Sequence, residues 1–191
     1  PSASLSRFAA LELDNAAPIT VSGTVVADGD VTVTSGTSVH VTSAVDFNSD
    51  MAVTDGTLSV DGGSNIAGDV VVSSAGSVTL TGTATVVGQV DVTSTSAFNF
   101  GSCTFNGQVY VNTSSSMNGT NGYFTTRLPV IDNANSTYVV TNTYAWGSLT
   151  LPWDITLPST TKLRVEASKQ LILGGHQLEQ GGDLHVVVSN T

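Results

Sequence analysis

Gly29-Asp30-Val31-Thr32-Val33-Thr34 decides the architecture, because it returns along the chain. It comes back as Ser49-Asp50-Met51-Ala52-Val53-Thr54, Gly68-Asp69-Val70-Val71-Val72-Ser73, Gly88-Gln89-Val90-Asp91-Val92-Thr93 and Gly107-Gln108-Val109-Tyr110-Val111-Asn112. A last copy, Gly182-Asp183-Leu184-His185-Val186-Val187, stands near the end. Each block is a small residue, Asp or Gln, then apolar-x-apolar, which is the period-two pattern of a short strand with one buried face. The first apolar residues, Val31, Met51, Val70, Val90 and Val109, are spaced by 20, 19, 20 and 19 residues. A fixed period of this size is the signature of a solenoid.

Two more apolar-x-apolar pairs lie in each interval. The second series is Ile19/Val21, Val39/Val41, Leu58/Val60, Val78/Leu80 and Phe98/Phe100; the third is Val25/Ala27, Val45/Phe47, Ser64/Ile66, Ala84/Val86 and Cys103/Phe105. Where a coil is one residue short, the loss falls between strands: between first and second in the Met51 coil, and between second and third in the Val90 coil. A loss inside a strand would turn its side chains to the wrong face, whereas one at a corner only tightens the bend. The pattern therefore predicts an all-β, right-handed, three-sided parallel β-helix of about 19–21 residues per coil, its strands stacked about 4.8 Å apart. Val33, Val53, Val72, Val92 and Val111 should form one inward column, and Phe47, Ile66, Val86 and Phe105 another.

The periodicity divides the chain into residues 1–18, outside the repeat and read as an N-terminal cap or an assembly arm, and regular coils over 19–118. Residues 119–147, rich in Asn and aromatics and weak in alternation, are expected to leave the stack. Coils resume over 148–191, with Leu149/Leu151 and Ile155/Leu157 read as second and third strands and Leu163/Val165 and Leu184/Val186/Val188 as first strands. On that count the stack begins on a second strand and ends on a first, so one subunit's end would complete a coil with the next subunit's start. The residues assigned to this head-to-tail joint are Leu5, Phe8, Leu11, Leu13, Ile19, Val21, Leu184, Val186 and Val188.

Composition narrows the function classes. The 191 residues carry 15 Asp plus Glu against 5 Lys plus Arg, and no cation occurs between Arg7 and Arg127. Nucleic-acid binding is disfavoured, since phosphates require a basic footprint. No apolar run approaches the roughly 20 residues of a membrane-spanning helix, and the chain opens on Pro1, read as the mark of a mature or excerpted chain. A single cysteine, Cys103, rules out an internal disulfide framework and occupies an apolar slot of the third series.

No motif carries chemistry, so no catalytic residue and no cofactor is expected. Asp30, Asp50 and Asp69 would stack carboxylates at one corner, where calcium finds oxygen ligands; Gln89 and Gln108 at the next two corners favour backbone-capping instead. His40, His176 and His185 have no metal-ligand spacing, and paired acids for glycoside cleavage are hard to assemble. Asn112, Asn118 and Asn135 begin N-x-S/T triplets and are candidate N-glycosylation sites. Tyr123, Phe124, Tyr138, Tyr144, Trp146 and Trp153 could line a carbohydrate groove or simply cover the side of the stack.

The coil pattern of Gly29 to Asn112 resembles the Ser/Thr/Gly-rich parallel β-helices of autotransporter passengers, phage tail fibres and spikes, and repeat-containing surface proteins. That resemblance implies an extracellular location, secreted or on the cell surface. It also implies a structural role as the protomer of a fibre, pilus-like filament or surface layer, with copies of the chain as partners. The alternative it carries is a carbohydrate-binding adhesin or phage-fibre-type β-helix, with glycans as partners, and more remotely a carbohydrate-active enzyme. Because the matching positions are core and corner residues, the likeness speaks to fold more than to activity.

Overall fold

The structure is a computed structural model and describes residues 6–14, 17–34, 36–132, 135–151, 154–165, 169–181 and 183–186. Leu5, Trp153 and Val188, singled out above, lie outside the described residues. The chain opens on β1 (Ser6–Phe8) and continues through three coils of separate short strands. These are β2 (Leu11–Leu13), β3 (Ile19–Val21) and β4 (Val25–Ala27); β5 (Val31–Val33), β6 (Ser38–Val41) and β7 (Val45–Phe47); β8 (Met51–Thr54), β9 (Thr57–Val60) and β10 (Ser64–Ile66). In the next four coils the second and third strands run together. They are β11 (Val70–Ser73) with β12 (Ser77–Val86), β13 (Val90–Val92) with β14 (Ala97–Phe105), β15 (Val109–Val111) with β16 (Ser116–Phe124), and β17 (Val130–Ile131) with β18 (Thr137–Ala145). The last two coils are β19 (Leu149–Thr150), β20 (Ile155–Leu157) and β21 (Lys162–Val165), then β22 (Leu171–Ile172), β23 (Leu178–Gln180) and β24 (Leu184–Val186).

Every strand pairs in parallel with its equivalent one coil away, giving a β-solenoid of about 8 turns with no helix among the described residues. A first face runs β2-β5-β8-β11-β13-β15-β17. A second runs β3-β6-β9 and on through the leading halves of β12, β14, β16 and β18. The third runs from β1 through β4, β7 and β10, then the trailing halves of β12 to β18, to β21 and β24.

The expected register holds. Val31 pairs with Met51 while Val39 pairs with Leu58, so the Met51 coil loses its residue at the first corner. Leu80 pairs with Phe100 while Thr83 pairs with Ser102, which places the Val90 coil's loss at the second bend. Both expected inward columns are buried throughout, Val33 to Val111 on the first face and Phe47 to Phe105 on the third. The third column extends through Phe124, whose ring stacks on that of Phe105 at 5.1 Å.

Three expectations are corrected. The described residues of 119–147 do not leave the stack: β16 pairs along its length with β14 and with β18, and β17 pairs with β15. The alternation was invisible because several core-facing sites carry no apolar side chain. Gly119 pairs with Phe100, and a Cβ built on it would lie 2.4 Å from the Phe100 ring, so the neighbouring ring fills the space the glycine leaves. Thr143 is another, wholly buried and bonded through Oγ1 to the Tyr138 hydroxyl at 2.8 Å.

Residues 6–13 belong to the repeat. Ser6–Phe8 pairs with Val25–Ala27 and Leu11–Leu13 with Val31–Val33, so this segment is a third strand and a first strand, neither separate cap nor arm. At the other end, Leu163/Val165 and Leu184/Val186 continue the third face, since Thr143 pairs with Leu163 and Leu163 with Leu184. Counting strands across a supposed excursion had lost the phase. Among the described residues the stack thus begins and ends on third strands, which corrects the phase assigned to both ends.

Candidate functional site

Corners were the first candidates. Asp50 Oδ1 accepts a hydrogen bond from the Asp69 backbone N–H at 2.8 Å, and Asp69 Oδ1 accepts one from that of Gln89 at 2.7 Å. Asp30 Oδ1 accepts from Ser49 Oγ at 2.6 Å. Each carboxylate reaches across to the next coil, where Asp50 and Asp69 satisfy a corner amide and Asp30 takes a serine hydroxyl. The small residue of the repeat makes room: a Cβ on Gly88 would lie 2.4 Å from Asp69 Oδ1. Among the described residues no group of three His, Cys, Asp or Glu side chains is placed to hold a metal ion.

The histidines are tied singly, His40 Nε2 to Asp61 at 2.7 Å and His176 Nδ1 to Asp154 at 3.4 Å. Cys103 is fully buried, and burial pushes its thiol pKa up, away from the reactive thiolate. Of the glycosylation triplets, Asn118 lies inside β16 with its Nδ2 donating to Asn99 Oδ1 at 3.0 Å, half-buried in a ladder. Asn112 is half-buried after β15, and Asn135 is exposed at a corner, where its amide donates to Asp132. A corner row escaped the sequence reading. Ser96 Oγ donates to the Val72 carbonyl at 2.7 Å and Ser115 Oγ to that of Val92 at 2.6 Å, both hydroxyls buried beneath the first corner. Their only signal was a recurrent small residue before each second strand.

The two ends of the stack form a second candidate. Phe8, Leu11, Leu13, Ile19 and Val21, all assigned to the joint, come together around an apolar cavity of about 250 Å³ at the mouth of the first coil. They are only half-buried, while the coils below are sealed. Among the described residues β1, β2 and β3 each pair on one edge only. At the far end the same is true of β22, β23 and β24. There Leu171 and Leu178 line an open depression of about 560 Å³ beside the exposed Ile172 and Leu173. Leu184 and Val186 take part through the backbone of β24.

The aromatic set splits. Phe124 and Tyr138 are core residues, and burial raises the Tyr138 phenol pKa despite its bond to Thr143. Tyr123 and Tyr144 point outward from adjacent strands of the third face, stacked at 4.6 Å. Trp146 stands edge to face with both, at 5.1 and 6.5 Å. The Arg164 guanidinium lies 5.1 Å from the centre of the Tyr144 ring, within cation–π range. No family model, curated protein or solved structure matches this chain.

Proposed function

We propose that the chain is a structural element of an extracellular fibre or surface layer, in which copies stack head to tail. The observation that carries this reading is the open apolar mouth of the first coil, ringed by the one-sided strands β1, β2 and β3. Strand edges left unpaired are templates for further pairing, and a solenoid needs its terminal coils covered. The opposite end offers parallel edges of the same direction and its own half-exposed leucines. In the joint, β24 meets β1 on the third face. Such a contact joins two different surfaces and does not close on itself, so it propagates into a filament. The extracellular setting is what the resemblance of the coils to surface and fibre β-helices implies.

Sedimentation and negative-stain microscopy of the purified chain test this. Concentration-dependent end-to-end rods are expected, and Leu13→Asp, which puts a charge in the mouth, should return the protein to monomers. An intact chain that stays monomeric at all concentrations would refute the stacking.

A further inference from the structure

We propose that the outward side of the third face around Trp146 binds an acidic polysaccharide, a polymer of uronate-type sugars. Three independent features meet there. The first is exposed aromatic surface: Trp146, just after the end of β18, is 47% exposed, so burial of its own does not explain an indole there. Its edge-to-face contacts with Tyr123 and Tyr144 hold the ring in place, so little side-chain freedom is lost when a sugar ring lies against it.

The second feature is charge. A chain with formal net charge −10 gathers four of its five cations after residue 126, and two of them, Lys162 and Arg164, lie on β21 beside this patch. Register sets Arg164 opposite Tyr144 and Lys162 opposite Asn142. Neither makes an ion pair with a described residue, although exposed Asp183 precedes β24 and lies next to Lys162 in the same row. Arg164 lies over the Tyr144 ring at 5.1 Å, which helps hold in place a guanidinium suited to a carboxylate.

Hydrogen-bonding groups supply the third. Asn142 Nδ2 donates to Asn121 Oδ1 at 3.0 Å, and Asn121 Nδ2 donates to Ser102 Oγ at 3.1 Å. Each amide spends one N–H along the ladder and retains a second. The ladder advances by about 4.8 Å per coil, a step comparable with one sugar ring of a polymer running along the solenoid axis. An apolar partner would leave these amides and cations unsatisfied, and a neutral glycan would leave the cations unused.

The test is a titration of the full chain with oligogalacturonate, following tryptophan fluorescence and heat, with fully methyl-esterified oligogalacturonate and duplex DNA as comparators. Saturable binding of the acidic oligomer that weakens with salt is expected. Trp146→Ala and Arg164→Gln should each weaken it by at least about tenfold, or 1.4 kcal/mol, while leaving the thermal unfolding midpoint in place, because both side chains lie outside the core. No saturable binding would overturn the proposal. So would equal affinity for the esterified oligomer, equal affinity for DNA, or binding untouched by both substitutions. Running the titration on the monomeric Leu13→Asp variant separates this result from the stacking of subunits, since the patch lies on the side of the solenoid.

Discussion

The middle and the end of this solenoid differ: paired positions lie 19 or 20 residues apart in the middle, as in Met51 with Val70 and Val70 with Val90, and 21 to 23 apart at the end, as in Leu149 with Leu171 and Ile155 with Leu178. From Met51 to Phe105 each coil spends three or four residues on the first face and then builds full second and third strands. In the coil that begins at Leu149, expected to open on second and third strands, β19 pairs only with β22 among the described residues, and β20 lies against first-face β17. Only residues 158–161 remain before β21 rejoins the third face, so no second strand forms. Pro158 sits where that strand would start, and proline cannot donate to a ladder. The consequence is a second-face ladder that ends at β18, with an open depression of about 500 Å³ along Thr137 to Val139. Leucine-rich composition therefore does not make the last coils the better buried ones. Leu58 and Leu80 in the middle are sealed, whereas Leu171 and Leu178 are half-exposed and Ile172 and Leu173 are exposed.

The largest effect that can break this contrast is in the aromatic centre. Phe105 packs against Phe98, Phe100 and Phe124, with ring centroids 6.2, 5.4 and 5.1 Å away. Phe105→Ala should cost about 3–5 kcal/mol by the large-to-small rule, read from the midpoint of denaturant unfolding. Leu171→Ala in the terminal coil should cost no more than about 2 kcal/mol, with fast amide exchange confined to the last coils. Equal costs at the two positions would show that the ends are as well packed as the middle.

A smaller test concerns the Gly119 pairing. Gly119→Ala places a methyl group against the Phe100 ring and should cost about 1–3 kcal/mol by overpacking. Phe100→Leu in the same chain should restore part of the loss, whereas two independent sites would simply add. This large-to-small compensation marks the limit of what the residues disclosed. Three strand series, their spacing and both corner deletions were legible because valine alternation repeats at a fixed interval. Phe100 against Gly119 is a relation between coils, and a reading along one strand sees only a missing apolar residue. The outward cluster was legible as a set of aromatics but not as a division, because Phe124 and Tyr123 are neighbours that face opposite sides. The bond from Ser96 to Val72 was hidden for a similar reason: it crosses to the preceding coil, 24 residues back.

That hydroxyl gives the next prediction. Ser96→Ala leaves the Val72 carbonyl without the side-chain donor beneath the corner, and the residues just before it, Ser94 and Thr95, hold positive φ of 56° and 63°. A left-handed conformation is uncommon for a β-branched residue and persists only where its surroundings impose it. Because the Thr93 N–H still reaches the Val72 carbonyl, Ser96→Ala should cost about 0.5–1.5 kcal/mol, and Ser115→Ala a similar amount one coil on. Thr95→Gly should offset part of the Ser96→Ala loss, because glycine adopts the corner conformation without strain.

The smallest expected effect lies at the first coil and depends on pH. Arg7, outward on β1, bonds the Asp28 carboxylate with both its Nε and Nη2, and Asn48 Nδ2 donates to the same carboxylate at 3.0 Å. These hydrogen bonds, Arg7's first and Asn48's second, hold the Asp28 pKa below its ordinary 3.8. A carboxyl whose pKa is depressed by folding contributes stability that is present above the unfolded value and lost as pH falls through the folded one. The pair is fully open to solvent, so its effect on global unfolding should be negligible. Its effect should appear instead in local opening of β1, which has one pairing edge and few apolar contacts to hold it. Amide exchange of Arg7 and Phe8, corrected for the intrinsic pH dependence of exchange, should be slower above pH 3.8 than well below it. Asp28→Asn should abolish that difference and leave exchange in β13 unchanged. Protection of β1 that is indifferent to both pH and substitution would show that the backbone ladder to β4 alone fixes the first coil.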